Sequence, residues 1–256
     1  MSRIDDIGQL IAAAVGQDDR PIVVFSAIWP FLRALGTTDP ATTDRLINLL
    51  IEISGRRTLL MPAYAGGYVN GVCNLDTDPS STGVLSECFR RRHGTRRTLS
   101  AFFSFAVRGP EADHVVNLRP HDAWGDGSLY EWMEQRDACF LMFGTHPTQC
   151  SYLHRAEWLA RDVIQYRYEK AFRGEVIHEG RRIPLEERLY VRRLEPMVDN
   201  DFTVLMAPLQ RAGMQVTAAG GASIARYYAQ PSLTETLTDL QRDPLMLVKN
   251  RDSFVE

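Results

Sequence analysis

The sequence has few cysteines and none of the glycine-rich signatures of nucleotide-binding enzymes. Its four cysteines form no C-x-x-C pair, so we expect free thiols in a reducing compartment. Without a G-x-G-x-x-G after the first predicted strand, or a G-x-x-x-x-G-K, a dinucleotide or nucleoside triphosphate site lacks support. A G-x-S-x-G motif is also missing, which argues against a serine nucleophile elbow.

A net positive charge and long apolar runs are also missing. A formal net charge of -3 argues against a nucleic-acid partner, which would require a basic face. The apolar stretch at residues 10–15 is too short to span a membrane, and Asp5 and Asp6 stand where a signal peptide would carry positive charge. We therefore expect a cytoplasmic protein with no membrane partner.

Apolar periodicity alternates between strands and helices along the chain. Strands are predicted at residues 21–25, 58–61, 102–107, 139–143 and 214–218, and helices at 4–15, 40–51, 83–92, 153–164 and 202–212. Residues 29–31 are predicted to lie in a loop, and the tail beyond 218 shows no defined element. The pattern predicts an α/β fold in one domain over residues 1–256, with a mixed central sheet flanked by helices and a smaller antiparallel subsheet at 166–195.

The densest group of polar side chains follows the strand at 139–143. His154 can be a general base, because an imidazole ionises near neutral pH. Alternatively, His146, Cys150, His154 and Glu157 are zinc ligands, although Pro147 interrupts a continuous helix through them. In a third interpretation His154 only packs in the fold and Glu157 caps the helix. The residues alone leave these three interpretations open.

Five segments are informative together, through their order and spacing. They are residues 76–90 (leading into a "G-x-L-P-E-x-F-R" pattern), 94–98 ("G-x-x-R-S"), 104–109 ("S-x-A-x-x-G"), 121–128 ("H-x-x-x-G-x-G-S") and 144–157 ("T-x-L-H-x-A-E"). In this arrangement the chain resembles the aminoglycoside 3-N-acetyltransferase family, and residues 28–36 resemble a further family segment less closely.

The resemblance implies an α/β fold distinct from that of the common GNAT acetyltransferases. It implies acetyl-CoA as the cosubstrate and an amine of a small-molecule amino sugar as the acceptor, and it allows a homodimer. It places the general base at His154 and the glutamate that orients this base at Glu87. Ser151 is a candidate donor to the oxyanion that forms during acyl transfer.

The same resemblance assigns residues to the two substrates. For CoA it suggests Trp29, Phe31, Leu32, Arg33, Ser81, Thr82, Arg97 and Thr98. Core packing is the competing interpretation for Trp29 and Phe31, and a surface salt bridge for Arg97. For the acceptor we assign Ser100, His121 and Glu157, and we expect no metal site.

Two departures from the family pattern concern the acceptor. Residues 97–101 stand where the family has "R-S-x-H-P", so Ser100 replaces the histidine and Ala101 the proline, and Trp29 replaces the histidine of the first motif. The sequence shows no cluster of carboxylates for a polycation. The family resemblance favours an amine of an aminoglycoside as the acceptor. Because a carboxylate cluster is missing, an amine of a sugar nucleotide or glycan precursor is the other expected acceptor. The alternatives are a non-catalytic CoA or carbohydrate binder and a zinc hydrolase.

Overall fold

Helices and strands alternate along most of the chain. The computed structural model describes residues 3–119 and 121–254. The strands are β1 (Ile22–Ser26), β2 (Leu59–Pro62), β3 (Val72–Asn74), β4 (Arg96–Arg97), β5 (Phe105–Arg108), β6 (Cys139–Phe143), β7 (Arg167–His178), β8 (Arg181–Arg192), β9 (Gln215–Ala219) and β10 (Ala222–Tyr228). The α-helices are α1 (Arg3–Val15), α2 (Trp29–Leu35), α3 (Pro40–Ser54), α4 (Val84–Arg90), α5 (Ala112–Val116), α6 (Leu129–Gln135), α7 (His154–Leu159), α8 (Met206–Arg211) and α9 (Ala229–Arg242). None of these described helices has the length and apolar character needed to cross a bilayer.

A seven-stranded mixed sheet forms the centre of the fold, in the order β4-β5-β2-β1-β6-β10-β9. The three middle strands β2, β1 and β6 are parallel, and the remaining neighbours pair antiparallel. Because the middle strands are parallel, their carboxyl ends meet at one edge of the sheet, where open α/β sheets place their ligands.

Helices cover both faces of this sheet. Successive residues of β1 point to opposite faces, so Val24 packs with the side chains of α1 and α3, whereas Val23 and Phe25 pack with those of α6 and α9. The middle strands are therefore buried on both sides, which explains their nearly continuous apolar sequence.

A smaller sheet joins β3, β7 and β8. β3 pairs parallel to β7, and β7 and β8 form a hairpin in register from Arg167 opposite Arg192 to His178 opposite Arg181. The two turn residues, Glu179 and Gly180, have φ values of 51° and 70°. Positive φ at both positions is typical of the two-residue turns that match the twist of a hairpin.

The expected fold class, with its mixed sheet and smaller subsheet, is confirmed, but three local predictions are wrong. Residues 29–31 begin helix α2, because Pro30 is well tolerated in a first helical turn. The helix predicted at 153–164 is interrupted after Leu159. The tail forms β10 and α9, whose buried residues belong to the two large apolar clusters.

Candidate active site

A sharp turn after β6 brings polar residues over the carboxyl edge of the sheet. Gly144 has a φ of 72°, and a side chain there would collide with the Ala27 carbonyl. Glycine therefore allows the chain to turn immediately after the strand. Residues 145–150 follow, and a short 3₁₀ helix at Ser151–Leu153 leads directly into α7, which begins at His154.

His154 and Glu157 form a hydrogen-bonded pair in the first turn of α7. The imidazole Nδ1 lies 2.5 Å from Glu157 Oε2, at the i, i+3 spacing that places two side chains on one helical face. The other oxygen of Glu157, Oε1, accepts hydrogen bonds from the Tyr166 hydroxyl at 2.8 Å and from Arg167 Nε at 2.7 Å. Four groups from α7 and the start of β7 are thus joined in one network.

The carboxylate of Glu157 is held in its charged form. Burial by itself would raise its pKa, but the Arg167 guanidinium and the hydrogen bonds from His154 and Tyr166 outweigh burial and lower the pKa to about 2. Near neutral pH this carboxylate only accepts hydrogen bonds, so His154 Nδ1 is the donor. This arrangement fixes the tautomer and leaves the lone pair of a neutral imidazole on Nε2.

The imidazole is held from the sides and open at Nε2. Trp124 and Phe202 contact the ring with centroid distances of 5.6 Å and 5.2 Å, both nearly perpendicular to it. The His154 side chain remains 26% exposed. Its Nε2 makes no hydrogen bond to any residue that the structure describes, so this nitrogen is available to a substrate.

The hydroxyl of Ser151 belongs to a second polar group. It lies 2.5 Å from the Tyr64 hydroxyl and 2.7 Å from the Tyr130 hydroxyl. Burial raises the pKa of both tyrosines, so both phenols stay protonated near neutral pH. When both phenols donate to Ser151 Oγ, the serine proton is free to meet a third acceptor.

Ser151 and Tyr64 line a cavity of about 240 Å³ at the ends of β1, β2 and β6. Ser26, at the end of β1, also lines this cavity, and its buried hydroxyl has no hydrogen-bond partner among the described residues. Buried hydroxyls are normally satisfied, so an orphan in a cavity fits a site where a ligand supplies the missing partner.

The residues predicted to contact CoA fall into different environments. Trp29 is 64% exposed and lines an open groove with Leu32 and Arg33. The Arg33 side chain makes no hydrogen bond or ion pair within the described chain, so its guanidinium is free for a ligand. In contrast, Phe31 is buried and stacks on Phe143 at 3.6 Å, so it is a core residue that a ligand does not reach.

Arg97 serves the fold and not a ligand surface, which corrects its predicted role and also its alternative as a surface salt bridge. Its guanidinium is buried and donates to the carbonyls of Leu75, Asp78 and Ala63 and to the Ser104 hydroxyl. Every nitrogen of the guanidinium is therefore already engaged with the protein.

The three neighbouring hydroxyls are also engaged. Thr98 is buried and accepts a hydrogen bond from the Phe105 amide, Ser81 donates to the Tyr64 carbonyl, and Thr82 donates to the Pro62 carbonyl. Of these, Thr82 lines the cavity of Ser26 and Ser151. It remains a candidate contact for the cosubstrate.

Glu87 does not hydrogen-bond His154, which corrects its predicted role. Helix α4 places Glu87 three residues before Arg90, and both carboxylate oxygens accept from that guanidinium, while the Ser80 amide binds one of them as well. Glu157 is the carboxylate that hydrogen-bonds His154 instead. Because Glu157 is fully buried behind His154, its predicted contact with the acceptor is corrected at the same time.

Ser100 and His121, the other predicted acceptor residues, come together. Both line a cavity of about 290 Å³ bounded by α5, α6 and β8. Sequence patterns do not point to Tyr166 or Arg167, since neither follows an apolar period nor belongs to a family motif. Four further residues of the site were not predicted either: Ser26, Tyr64, Trp124 and Tyr130.

The zinc alternative finds no set of ligands in the described part of the chain. No group of three or more His, Cys, Asp and Glu side chains is arranged there to hold a metal ion. His146 Nδ1 pairs with the Thr148 hydroxyl, and Cys150 is buried with its pKa raised to about 12 by burial.

Comparison with known proteins identifies the family. The family model described as aminoglycoside 3-N-acetyltransferase matches residues 32–241. Similar solved structures include aminoglycoside acetyltransferase AAC(3)-IVa as the apoenzyme (TM-score 0.73, 20% identity, covering 98% of this chain and 93% of that one) and AAC(3)-Xa (TM-score 0.76, 18% identity, 94% and 93%). The binary complex of AAC-IIIb with CoASH is also similar (TM-score 0.75, 19% identity, 94% and 97%).

At these identities the structural matches show the fold alone, and no curated protein sequence matches the chain. The family model, however, spans most of the 256 residues. The chain therefore belongs to the aminoglycoside 3-N-acetyltransferase family and is an acetyl-CoA-dependent N-acetyltransferase.

Proposed function

We propose that the protein transfers the acetyl group of acetyl-CoA to an amine of an amino sugar, with His154 as the general base and Glu157 as the carboxylate that orients it. The main observation that supports this proposal is the hydrogen-bonded pair of His154 and Glu157. Nδ1 of His154 is held at 2.5 Å by a buried, charged carboxylate, while the side chain is 26% exposed and its Nε2 has no hydrogen-bond partner within the described chain.

A base is needed because an amine acceptor reaches the enzyme as an ammonium ion, which has no lone pair for attack. His154 Nε2 takes the ammonium proton, and Glu157 stabilises the imidazolium that results. Acetyl-CoA supplies the acetyl group on a thioester, so a nitrogen–carbon bond forms as the carbon–sulfur bond breaks. His154 then returns its proton to the leaving sulfur, and the nitrogen of the intermediate loses its second proton to water, so that the products are a neutral amide, free CoA thiol and one released proton. A positioned base of this kind contributes about 10²- to 10⁴-fold to the rate.

The residues around the 240 Å³ cavity suit the reactive end of acetyl-CoA. Ser26 has a buried hydroxyl without a described partner, and Ser151 can direct its proton at a carbonyl oxygen when Tyr64 and Tyr130 donate to it. We assign Ser151 to the carbonyl oxygen of the acetyl group. Trp29 and Arg33, in the open groove beside α2, would hold the nucleotide portion, with Arg33 pairing to a phosphate.

The acceptor class is tested with a thiol-release assay. Purified protein is mixed with acetyl-CoA and either an aminoglycoside, such as gentamicin, or a nucleotide-linked amino sugar, and free CoA is measured. We expect release with one of these classes, and a loss of at least about 100-fold in kcat for His154→Ala. The exposed His93, which has no described side-chain contact, provides the control: His93→Ala keeps wild-type turnover.

Two results would contradict the proposal. If His154→Ala keeps near wild-type turnover, then His154 is not the base. If no acceptor releases CoA while calorimetry still shows CoA binding, the protein is a non-catalytic binder built on the same scaffold.

A further inference from the structure

A second cavity, which shares no lining residue with the Ser26 cavity, lies beside Phe103 and Tyr130. It has a volume of about 290 Å³ and is walled mainly by the apolar side chains of Leu99, Phe103, Val115, Leu118, Leu129 and Tyr130. Phe103 and Tyr130 pack against the Trp124 ring at 4.9 Å and 6.1 Å, and Trp124 in turn contacts His154. The cavity is therefore close to the proposed active site but does not include the His154–Glu157 pair.

One acidic side chain of this cavity is buried without a counterion. Glu187, on β8, lines the wall and is only 8% exposed. Its carboxylate accepts from the Ser100 hydroxyl at 2.5 Å, the Ala101 amide at 2.7 Å and the Tyr68 hydroxyl at 3.4 Å. All three donors are neutral, and no basic side chain in the described chain forms an ion pair with Glu187.

The basic groups of the lining lie at its exposed rim. Arg119 donates to the carbonyl of Val116, the last residue of helix α5, and to that of Leu118 just beyond it. His121 is exposed, and its side chain has no described hydrogen-bond partner. Neither of them contacts Glu187, so they leave its charge uncompensated.

Glu157 shows how this fold treats a buried carboxylate that needs no ligand. That group has Arg167 at 2.7 Å, and the guanidinium keeps its pKa low. Glu187 has no such partner, and burial raises its pKa despite the three hydrogen bonds. An uncompensated buried charge is costly, and the cost falls when a cation enters.

We propose that this cavity binds an organic monocation, with one ammonium group paired to Glu187 and an apolar body filling the space between α5, α6 and β8. The aromatic faces of Phe103 and Tyr130 add cation–π attraction for the same charge. A polycation does not suit the site, because its further charges would lie against leucine and valine side chains. This site goes beyond acetyl transfer, and its occupation requires neither acetyl-CoA nor turnover.

The test compares two probes of nearly the same shape by calorimetry. Cyclohexylmethylamine carries one positive charge at neutral pH, and cyclohexylmethanol carries none. We expect wild-type protein to bind the amine at least about tenfold more tightly than the alcohol, as charged hydrogen bonds are worth roughly 1.5–3 kcal/mol. Glu187→Gln is expected to abolish this preference while alcohol binding persists, which also shows that the variant is folded.

A second pair of variants tests the cavity itself. Leu118→Trp should fill the space and remove binding of both probes, whereas Leu194→Trp, at a leucine that is 65% exposed elsewhere, should leave binding unchanged. If wild-type protein binds neither probe, binds both equally, or keeps its preference for the amine in Glu187→Gln, the proposal is wrong. If Glu187→Gln does not fold, two measurements still test the proposal: the preference of wild-type protein for the amine over the alcohol, and the loss of binding in Leu118→Trp compared with Leu194→Trp.

Discussion

Replacing Glu157 by glutamine removes one negative charge and changes the shape of the side chain very little. The amide can still accept a hydrogen bond from Tyr166, but it cannot neutralise Arg167, whose side chain is only 8% exposed. It also permits the imidazole to adopt the other tautomer, since an amide both donates and accepts. The substitution therefore affects stability and catalysis through the same side chain, by way of its two different oxygens.

The size of the stability loss follows from the pKa of Glu157. One pKa unit corresponds to about 1.4 kcal/mol, so lowering this pKa from 4.5 to about 2 stabilises the folded protein by about 3 kcal/mol. Leaving a buried guanidinium without its partner costs about 3–5 kcal/mol in other proteins. Both routes predict a loss of about 3 kcal/mol in the free energy of unfolding at pH 7.

Urea denaturation over a pH series measures this loss. The folded-state pKa of Glu157 is depressed, so its stabilisation is complete above the unfolded-state pKa and fades as the pH falls toward the folded-state value. The difference in unfolding free energy between wild type and Glu157→Gln should be largest above about pH 5 and shrink between pH 4.5 and 2. The exposed Glu175, which pairs with Arg182, gives the control, and Glu175→Gln should change stability by less than about 1 kcal/mol.

The reasoning fails if Glu157→Gln matches wild type in stability at pH 7, or if the difference between them is independent of pH down to 2. For catalysis we expect kcat to fall by about 100-fold or more, with little change in the KM for acetyl-CoA, because Glu157 does not face the substrate. Full turnover in this variant would show that His154 needs no orienting carboxylate.

Three further substitutions separate structural from ligand-binding roles. Arg97→Gln should lower the unfolding free energy by about 3 kcal/mol or more, measured by urea denaturation, since three buried carbonyls lose a charged donor; wild-type stability would contradict its structural role. Ser26→Ala should leave the melting temperature unchanged and weaken CoA binding measured by calorimetry, because the hydroxyl has no described partner; unchanged affinity would remove Ser26 from the site. Arg33→Gln should weaken CoA binding by about 10-fold or more without loss of stability, as expected for a charged contact to phosphate; a drop in melting temperature instead would indicate a role in the fold.

The spacing of apolar residues predicted those helices and strands whose buried residues recur at the helical or strand period. Strand β1 and helix α1 repeat their apolar residues at the spacing of their structures, and the structure contains them within two residues of the predicted bounds. β10 and α9 were missed because polar residues interrupt the pattern. Arg226 in β10 donates to the Ala14 carbonyl and Thr236 of α9 is buried, and no local sequence window contains these tertiary contacts.

Only part of the candidate site could be predicted from the sequence, because some of its contacts follow from local spacing and others do not. His154 and Glu157 stand three residues apart, so their contact can be foreseen from helical geometry. The ion pair with Arg167 joins helix α7 to the strand that follows it across an irregular connection, and the sequence offers no spacing rule for such a pair. The choice of Glu87 depended on the family resemblance, whereas the structure shows that carboxylate occupied by Arg90. The single domain and the homodimer stay predictions.

The two-residue turn of the β7–β8 hairpin sets limits on how this enzyme can vary. Arg167 begins one arm, and Glu187 lies in the middle of the other, so the proposed base and the second cavity each take one essential charge from the same ladder. Adding or removing one residue at Glu179–Gly180 would turn every later side chain of β8 to the opposite face. Glu187 would leave its cavity. The residue opposite Arg167 in the ladder, now Arg192, would also change, although it lies about 40 Å along the strand from the turn at 3.3 Å per residue. The length of this exposed turn thus sets the register of β8 against β7, although the turn adds no side chain to either site. We expect a change in the length of the turn to be tolerated less well than a change in its residues.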